Sequence, residues 1–437
     1  MYLKRDVICV LPTGYGKSLV FQLLPGLMFA KEKLRDVCLR DIDISVAATI
    51  IIVVSPLNAF ISNQISRLGS TGIRASVLGI KVNQEESEHD PLECDLQHGE
   101  DNKLRAGFYH IVFAHPESFV SCKYGRELLK SQTYQDKICA IVIDEAHCIL
   151  EWGREFRTDY SKLGVLCAIF PDVPVLAMTA TANNEDRNCI KESLGLKDCK
   201  NVIGNPDRKN VFYKKIFRHG NDMESCEGIL QPIAKKLLKE KTNHPITVIY
   251  LPLKLCGFAY KLFEHVLGSR QYYPEGSLKI PENRLFAQFH ASQTKIMKEQ
   301  ILNQVCSAES TVRVIFATIA MGMGVDIPSI RHVIHISPPC SIKAYFQETG
   351  RAGRDGKHAQ ALLYYNNHDS ARNRVGMTDE IRQFCKSESC LRIQMLHALD
   401  FDNSYPIEPV HLCCNMCAKK CSCEEFHFSA SLVGQKL

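Results

Sequence analysis

A glycine-rich turn near the start of the chain has the composition of a phosphate-binding loop. The stretch LPTGYGKS follows the apolar run DVICVL and precedes an apolar segment that favours a helix. In such a turn the backbone N–H groups and the helix N-terminus face the anion, a lysine reaches the β and γ phosphates, and a hydroxyl holds Mg²⁺. Leu11 stands where the longer form of this motif has glycine, so an ordinary glycine turn remains the alternative. The nucleotide-binding candidates are Thr13, Gly14, Gly16, Lys17 and Ser18.

Two adjacent carboxylates follow a later apolar run, in ICAIVIDEAH. The carboxyl ends of parallel strands lie at one edge of a sheet, where a nucleotide and its metal bind. Asp144 is suited to hold Mg²⁺ there, and Glu145 to orient or deprotonate the attacking water. A solvated Asp-Glu pair at a strand end is the alternative for this motif taken alone. Both motifs in this order, each after an apolar strand, favour nucleotide hydrolysis.

The chain has 20 cysteines, and the densest group is CCNMCAKKCSC near the C-terminus. Structural zinc takes four thiolates or imidazoles in tetrahedral geometry, and a C-x-x-C pair supplies two from one turn. This group, together with Cys390, therefore predicts a zinc site. Most other cysteines lie singly in apolar segments, as reduced thiols do, which indicates a reducing compartment. We expect the nucleus if the source is eukaryotic and the cytoplasm otherwise.

Continuous apolar runs, typical of buried parallel strands, recur in two series. The first series is DVICVL, ATIIIVVS, HIVFA, ICAIVID and VPVLAMT, and it predicts an α/β domain over residues 1–205. The second series is ITVIYL, RLFAQFH, VRVIFAT, HVIHIS and ALLYY, and it predicts another over residues 206–366. Residues 367–437 contain a helical pattern and the cysteine group, which favours a small third module.

The overall composition is that of an ordinary globular protein. At 437 residues, with 45% hydrophobic and 23% charged residues, the chain is too long for one core. No apolar run approaches the length of a membrane span, so no membrane partner is expected. The formal charge of +5 permits nucleic-acid binding without arguing for it, because such interfaces are local patches.

With these motifs in this order, the sequence resembles the RecQ family of DNA helicases, within the DEAD/DEAH-type helicase superfamily. Further matching stretches are SPLNAFISNQ, HPE, AMTATA with Thr179 and Thr181, VIFATIAMGMGVDIP and AYFQETGRAGRDG. The last stretch is the most specific, because it reproduces the pattern Q-x-x-G-R-x-G-R. Its matching residues are Gln347, Gly350, Arg351, Gly353 and Arg354.

The resemblance implies a fold and an activity. The expected fold is α/β, with two tandem RecA-like parallel-sheet domains followed by a small helical zinc-binding module. The expected activity is that of an ATP-dependent 3′–5′ DNA helicase in repair or recombination, with ATP, Mg²⁺ and Zn²⁺ as cofactors. Its expected partners are single-stranded and partially duplex DNA.

The resemblance also implies site residues in the second domain and in the module. Arg354, with Arg351 beside it, is expected to place positive charge on the γ-phosphate when the cleft between the domains closes. Gln347 and Asp326 are expected to contact the nucleotide. The implied zinc ligands are Cys390, Cys414, Cys417 and Cys421, with Cys413 as an alternative for the fourth.

The stretch EWGREFR, just after the carboxylate pair, contains the only tryptophan of the chain. It resembles the aromatic-rich loop that RecQ proteins carry at this place. Trp152 and Phe156 are suited to stack on the bases of single-stranded DNA. Arg154 and Arg157 are suited to bind its phosphates. The alternative is that Trp152 is simply buried, as tryptophan is on average.

Two parts that RecQ sequences usually have are not found in this one. It begins about one strand before Lys17, so the upstream segment with the adenine-reading glutamine is not in it, nor is a winged-helix domain. The preference for ATP is therefore implied by the resemblance alone. Two rival functions stay open, a catalytically impaired nucleic-acid-binding remnant of a helicase and an RNA helicase.

Overall fold

The computed structural model describes residues 4–33, 49–56, 58–80, 94–95, 99–151, 158–220, 222–307, 309–318, 327, 329–401 and 407–423. The chain divides into two compact units, Met1–Asn205 and Pro206–Leu437. None of the described helices is long and apolar enough to cross a membrane.

The first unit is built around a sheet with the strand order β4-β3-β5-β2-β6-β7-β1-β8. Its pairings are parallel except for the antiparallel pair of β3 and β4. The strands are β1 Val7–Val10, β2 Ile50–Val54, β3 Ala75–Ile80, β4 Cys94–Asp95, β5 Ile111–Ala114, β6 Ile138–Ile143, β7 Val175–Thr179 and β8 Lys200–Ile203. The helices are α1 Lys17–Lys33, α2 Asn58–Leu68, α3 Glu100–Arg105, α4 Pro116–Val120, α5 Lys123–Lys130, α6 Gln132–Lys137, α7 Cys148–Glu151, α8 Thr158–Ser161, α9 Gly164–Ile169 and α10 Asn184–Leu194.

The central strands of this sheet are buried on both faces, which is why they are apolar at every position. All five residues of β2 are fully buried. Strands β6, β7 and β1 are neighbours in the sheet. The segments that follow these three strands therefore leave the sheet at one edge, and they carry the carboxylate pair, the AMTATA motif and the glycine-rich turn.

The second unit contains a parallel sheet with the strand order β11-β12-β10-β13-β14-β9. The strands are β9 Val211–Phe217, β10 Ile246–Tyr250, β11 Phe286–Phe289, β12 Val314–Ala317, β13 Ile330–His335 and β14 Ala359–Tyr365. The helices are α11 Met223–Glu240, α12 Leu253–Leu267, α13 Lys295–Cys306, α14 Ile342–Thr349, α15 Asp379–Lys386, α16 Leu391–His397 and α17 Asn415–Ala418. Short 3₁₀ turns lie at Lys241–Asn243, Gly268–Gln271, Pro281–Asn283 and Val410–Leu412.

The cysteine-bearing segment packs on the edge strand β9 of this second unit. The Asn415 side chain pairs with the backbone of Lys215, accepting from its N–H at 3.2 Å and donating to its carbonyl at 3.0 Å. The Lys215 ammonium donates to the carbonyls of Phe384 and Cys385 at the end of α15, at 2.8 and 3.0 Å. Burial lowers the pKa of Lys215 to about 8. The segment thus shares the core of the second sheet.

The predicted fold class is confirmed: there are two parallel-sheet units, and every apolar run of the two series forms a strand. The strands that were not predicted are β3, β4, β8 and β9.

Candidate nucleotide-hydrolysis site and cysteine cluster

The glycine-rich turn lies between β1 and α1. Its backbone has positive φ at Gly14 (88°) and Gly16 (76°), which a side chain with a Cβ adopts only with strain. Helix α1 begins at Lys17, so its N-terminal N–H groups follow directly on the turn. The Lys17 Nζ donates to the Leu11 carbonyl at 3.1 Å, which holds the ammonium at the turn. Thr13 and Ser18 are half-buried beside it. This arrangement suits an anion such as a nucleotide phosphate.

The carboxylate pair lies at the end of β6. The Asp144 N–H donates to the Val54 carbonyl at 2.8 Å, and the Ser55 hydroxyl donates to Asp144 Oδ2 at 3.4 Å. Burial, with a contribution from the Glu145 carboxylate, raises the pKa of Asp144 to about 7, although the Lys17 charge opposes this rise. A buried carboxylate of this kind, next to a hydroxyl and a second carboxylate, is a donor set that suits Mg²⁺.

Glu145 has a left-handed backbone conformation, with φ 49°. Non-glycine residues with positive φ are uncommon and concentrate at functional sites. The residue is held there because the Ala146 N–H donates to the Met178 carbonyl at 2.8 Å. Its buried Oε2 lies 3.4 Å from His147 Nδ1 and has no hydrogen-bond partner within the part of the chain that the structure describes. The carboxylate is thus able to accept a proton or a hydrogen bond from a bound water.

A buried contact links the carboxylate pair to the AMTATA motif on the neighbouring strand. His147 Nδ1 lies 3.0 Å from Thr179 Oγ1, and both side chains are buried. The Thr179 hydroxyl in turn donates to the Thr181 carbonyl at 3.3 Å. A displacement of the turn after β7 would therefore move His147, whose Nδ1 is also 3.4 Å from Glu145 Oε2.

The arginine motif in the second unit follows α14. Arg351 is buried, whereas Gln347 and Arg354 are partly exposed. Both arginines lie near the buried Tyr250 hydroxyl, and their charges oppose the rise in the pKa of Tyr250 that burial causes. The greater exposure of Arg354 fits a residue that reaches a ligand, and the burial of Arg351 fits a residue that supports it.

Two side chains from the segment before β9 hold the carbonyls of this arginine loop. The Arg208 guanidinium donates to the carbonyls of Gly350, Ala352 and Gly353 at 3.2, 3.3 and 2.9 Å. The Asn210 amide donates to the carbonyls of Gly353 and Lys357 at 2.7 and 2.8 Å. We call Arg208 and Asn210 the loop clamp.

The loop clamp is itself held by Arg392, on α16, two residues after Cys390. Arg392 is buried and pairs with Asp207 at 2.5 Å, and it donates to the Arg208 carbonyl at 2.8 Å. Its guanidinium also donates to the Val211 carbonyl and lies over the Tyr213 ring. The helix that starts at the cysteine cluster is therefore connected to the arginine loop through one buried side chain.

Gly353→Ala tests the loop clamp. An added Cβ would lie 2.4 Å from Asn210 Nδ2 and 2.7 Å from the Lys357 carbonyl, at φ +60°. We expect ATP turnover to fall at least tenfold, because the clash and roughly 1–3 kcal/mol of backbone strain displace the flanking arginines. Gly356→Ala is the matched control, since Gly356 has φ +79° but open space around its Cβ. Equal loss of turnover in the two variants would contradict the role of the clamp.

Four cysteines come together around the start of α16 and of α17. Their Sγ–Sγ distances are 3.5 Å for Cys390–Cys413, 4.0 Å for Cys390–Cys414 and 3.5 Å for Cys414–Cys417. Sulfurs around a tetrahedral zinc with ~2.3 Å bonds are about 3.8 Å apart, so this set fits zinc. Cys413, the alternative at the sequence level, takes the fourth place here. Cys421 lies instead with His411 and Cys423.

Some predicted site residues fall outside the described residues. These are Trp152, Arg154, Phe156, Arg157 and Asp326. Sequence analysis did not identify the loop clamp, Arg392 or His411. The only sequence signal for the clamp is the polar stretch PDRKN directly before a strand-forming run.

Comparisons with known proteins agree with this geometry. The DEAD/DEAH box helicase family matches residues 1–188, and the helicase conserved C-terminal domain matches residues 269–356. The putative ATP-dependent DNA helicase Q1 of Caenorhabditis elegans is 30% identical over 433 residues, covering 96% of this chain and 59% of that protein. The ATP-dependent DNA helicase RecQ of Haemophilus influenzae is 29% identical over 424 residues, covering 94% of this chain and 59% of that protein.

The likeness to solved structures concerns the fold. The helicase Lhr of Mycobacterium smegmatis, bound to ssDNA and AMP-PNP, has a TM-score of 0.57 at 16% identity, covering 93% of this chain and 48% of that one. The chain spans about 59% of the length of the two sequence relatives. The chain therefore contains the two domains of a DEAD/DEAH-type helicase, and over nearly all of its residues it is similar to the RecQ helicases.

Proposed function

We propose that this protein is an ATP-dependent DNA helicase that moves 3′ to 5′ along one DNA strand and displaces the other, in repair or recombination. The observation that carries the proposal is the meeting of three motifs at one sheet edge of the first unit. The glycine-rich turn, the carboxylate pair and Thr179 follow the adjacent strands β1, β6 and β7. This is the arrangement that ATP hydrolysis requires, and the names of the sequence relatives support DNA as the substrate.

In the proposed reaction, Lys17 binds the β and γ phosphates, and Ser18 and Asp144 hold the Mg²⁺ of the nucleotide. When bound, the metal neutralises charge on the phosphate oxygens. Glu145 orients the attacking water and accepts its proton. Arg354 stabilises the charge that develops on the transferred phosphoryl group, and Gln347 and Asp326 contribute to nucleotide binding.

We propose that the His147–Thr179 contact couples DNA binding to ATP hydrolysis. His147 directly precedes α7, and the stretch EWGREFR follows from the end of that helix. On the far side of the stretch, the buried Asp159 accepts a hydrogen bond from Ser121 at 2.5 Å. A base stacked on Trp152 would thus act on a segment whose two ends are fixed to the unit.

Trp152→Ala is expected to abolish the stimulation of ATP hydrolysis by single-stranded DNA while the basal rate survives. Stacking is worth roughly 1–3 kcal/mol per base, so DNA affinity should weaken without vanishing, because phosphate contacts remain. The intrinsic fluorescence of the wild type reports DNA binding directly, since the chain has one tryptophan.

Phe108→Ala is the matched control, because Phe108 is an exposed aromatic residue of the same unit that lies under Arg74. This variant should keep full stimulation. If Trp152 is instead a packing residue, Trp152→Ala will lower the melting temperature and depress the basal and stimulated rates together. That result would contradict the role in sensing DNA.

We propose that zinc bound by Cys390, Cys413, Cys414 and Cys417 stabilises the module next to β9. Such a site contributes its binding energy to folding. The proposal places the protein in a reducing compartment, nuclear in a eukaryote and cytoplasmic otherwise, where these thiols stay available to the metal.

Strand-separation assays test the function as a whole. Purified protein with ATP and Mg²⁺ should release a labelled strand from a DNA duplex with a 3′ single-stranded tail, and much less from one with a 5′ tail. Faster release from the corresponding RNA duplex would favour an RNA helicase. DNA binding without DNA-stimulated hydrolysis would favour an impaired remnant.

A further inference from the structure

A second group of metal-binding side chains lies outside the four-cysteine cluster. His411 Nδ1 is 3.6 Å from Cys421 Sγ and 3.0 Å from Cys423 Sγ, and the two sulfurs are 2.9 Å apart. All three residues are partly buried. One imidazole and two thiols, each with its ligand atom turned toward the other two, are the donor types that zinc selects.

The three atoms are spaced so that one ion reaches all of them. A triangle with these sides has a circumradius of about 1.9 Å. Zinc binds thiolates at about 2.3 Å and imidazole at about 2.0–2.1 Å, so a position above the plane of the three atoms satisfies all three bond lengths. The two sulfurs, 2.9 Å apart here, would separate toward the ~3.8 Å of tetrahedral zinc when the ion binds. Tetrahedral zinc takes its fourth ligand on the side of the ion that faces away from this plane.

The local fold accounts for the arrangement. His411 is the middle residue of the 3₁₀ turn Val410–Leu412, and Cys421 follows α17, where its N–H donates to the Ala418 carbonyl at 3.2 Å. Helix α17 begins beside Cys414, which belongs to the first cluster. Helix α17 also contains Cys417 of the first cluster, whereas Cys421 and Cys423 lie beyond its C-terminal end.

We infer that His411, Cys421 and Cys423 form a second zinc site, distinct from the four-thiolate site of Cys390, Cys413, Cys414 and Cys417. Water fills the fourth coordination position. Both cysteines bind as thiolates and release their protons on binding. The ion joins the turn Val410–Leu412, directly before Cys413, to the chain after α17, so the segment between them forms a closed loop.

The metal content of the full chain tests the inference. Protein purified in metal-free buffer with reductant should contain two zinc ions per chain by elemental analysis. The double variant Cys421→Ser, Cys423→Ser and the single variant His411→Ala should each retain one. Cys340→Ser is the matched control, because Cys340 is an exposed cysteine outside both groups, and it should retain two.

Two results would overturn the inference. If the wild type and the double variant each hold one zinc, the three residues are only hydrogen-bonded to one another. If the wild type holds one zinc and the double variant none, Cys421 belongs to the first site. Neither result bears on helicase activity, which is measured with ATP and DNA.

X-ray absorption at the zinc edge gives a second measurement that needs no variant. Two sites of the proposed composition average about three sulfur and one nitrogen or oxygen neighbour per zinc, whereas one four-thiolate site has about four sulfurs. An all-sulfur spectrum from the wild type would therefore also overturn the second site.

Discussion

Glu145→Gln is expected to reduce the rate of ATP hydrolysis by about 10²–10³-fold or more while nucleotide binding stays close to that of the wild type. The amide keeps the size of the carboxylate but neither accepts a proton nor orients the water in the same way. The turn at Gly14 and Gly16 and the Lys17 ammonium are unchanged in this variant. Single-turnover hydrolysis and equilibrium binding of ATP with Mg²⁺ measure the two effects separately.

Lys17→Ala should lose hydrolysis through a different step. Removal of the ammonium at the glycine-rich turn weakens phosphate binding, so nucleotide affinity should fall together with turnover. Glu185→Gln and Lys191→Ala are matched controls, because both residues are exposed on α10. Near-normal turnover in Glu145→Gln or Lys17→Ala would remove these residues from the proposed site.

Arg354→Ala is expected to lower kcat by about 10³-fold with a small change in KM, because a finger arginine acts on the transition state more than on bound ATP. Arg354→Lys should recover little of the lost kcat, since a lysine lacks the planar guanidinium that pairs with phosphate oxygens. Steady-state ATPase assays at saturating single-stranded DNA measure both parameters.

The control for Arg354 is Lys357→Ala, because Lys357 is an exposed cation of the same loop. It should hydrolyse ATP like the wild type. If Arg354→Ala keeps a normal kcat and Arg351→Ala loses it with an unchanged melting temperature, Arg351 is the finger.

The core strands were predictable because strands buried on both faces are apolar at consecutive positions. Strand β2 is such a case. The edge strand β9 (VFYKKIF) was missed because its burial alternates and two lysines interrupt the apolar run. Strand β8 (KNVI) is exposed at every position, so its sequence carries no signal of a buried strand.

The candidate site was predictable where one motif carries neighbouring residues, as in the glycine-rich turn and the carboxylate pair. It was not predictable where the partners are far apart in the chain. Asn210 and Gly353 are 143 positions apart, and only the pairing of β9 with β14 brings them together. The choice of Cys413 over Cys421 likewise depends on where α17 begins and ends.

The contacts of the loop clamp determine at which residue a fragment containing only the second unit should begin. Asp207, Arg208 and Asn210 precede β9, so a fragment that begins at Val211 would leave Arg392 charged in the core without its partner. Breaking a buried ion pair on one side costs about 3–5 kcal/mol, and the carbonyls of the arginine loop would lose their donors as well. A protease site or an affinity tag that separates the two units therefore belongs before Pro206.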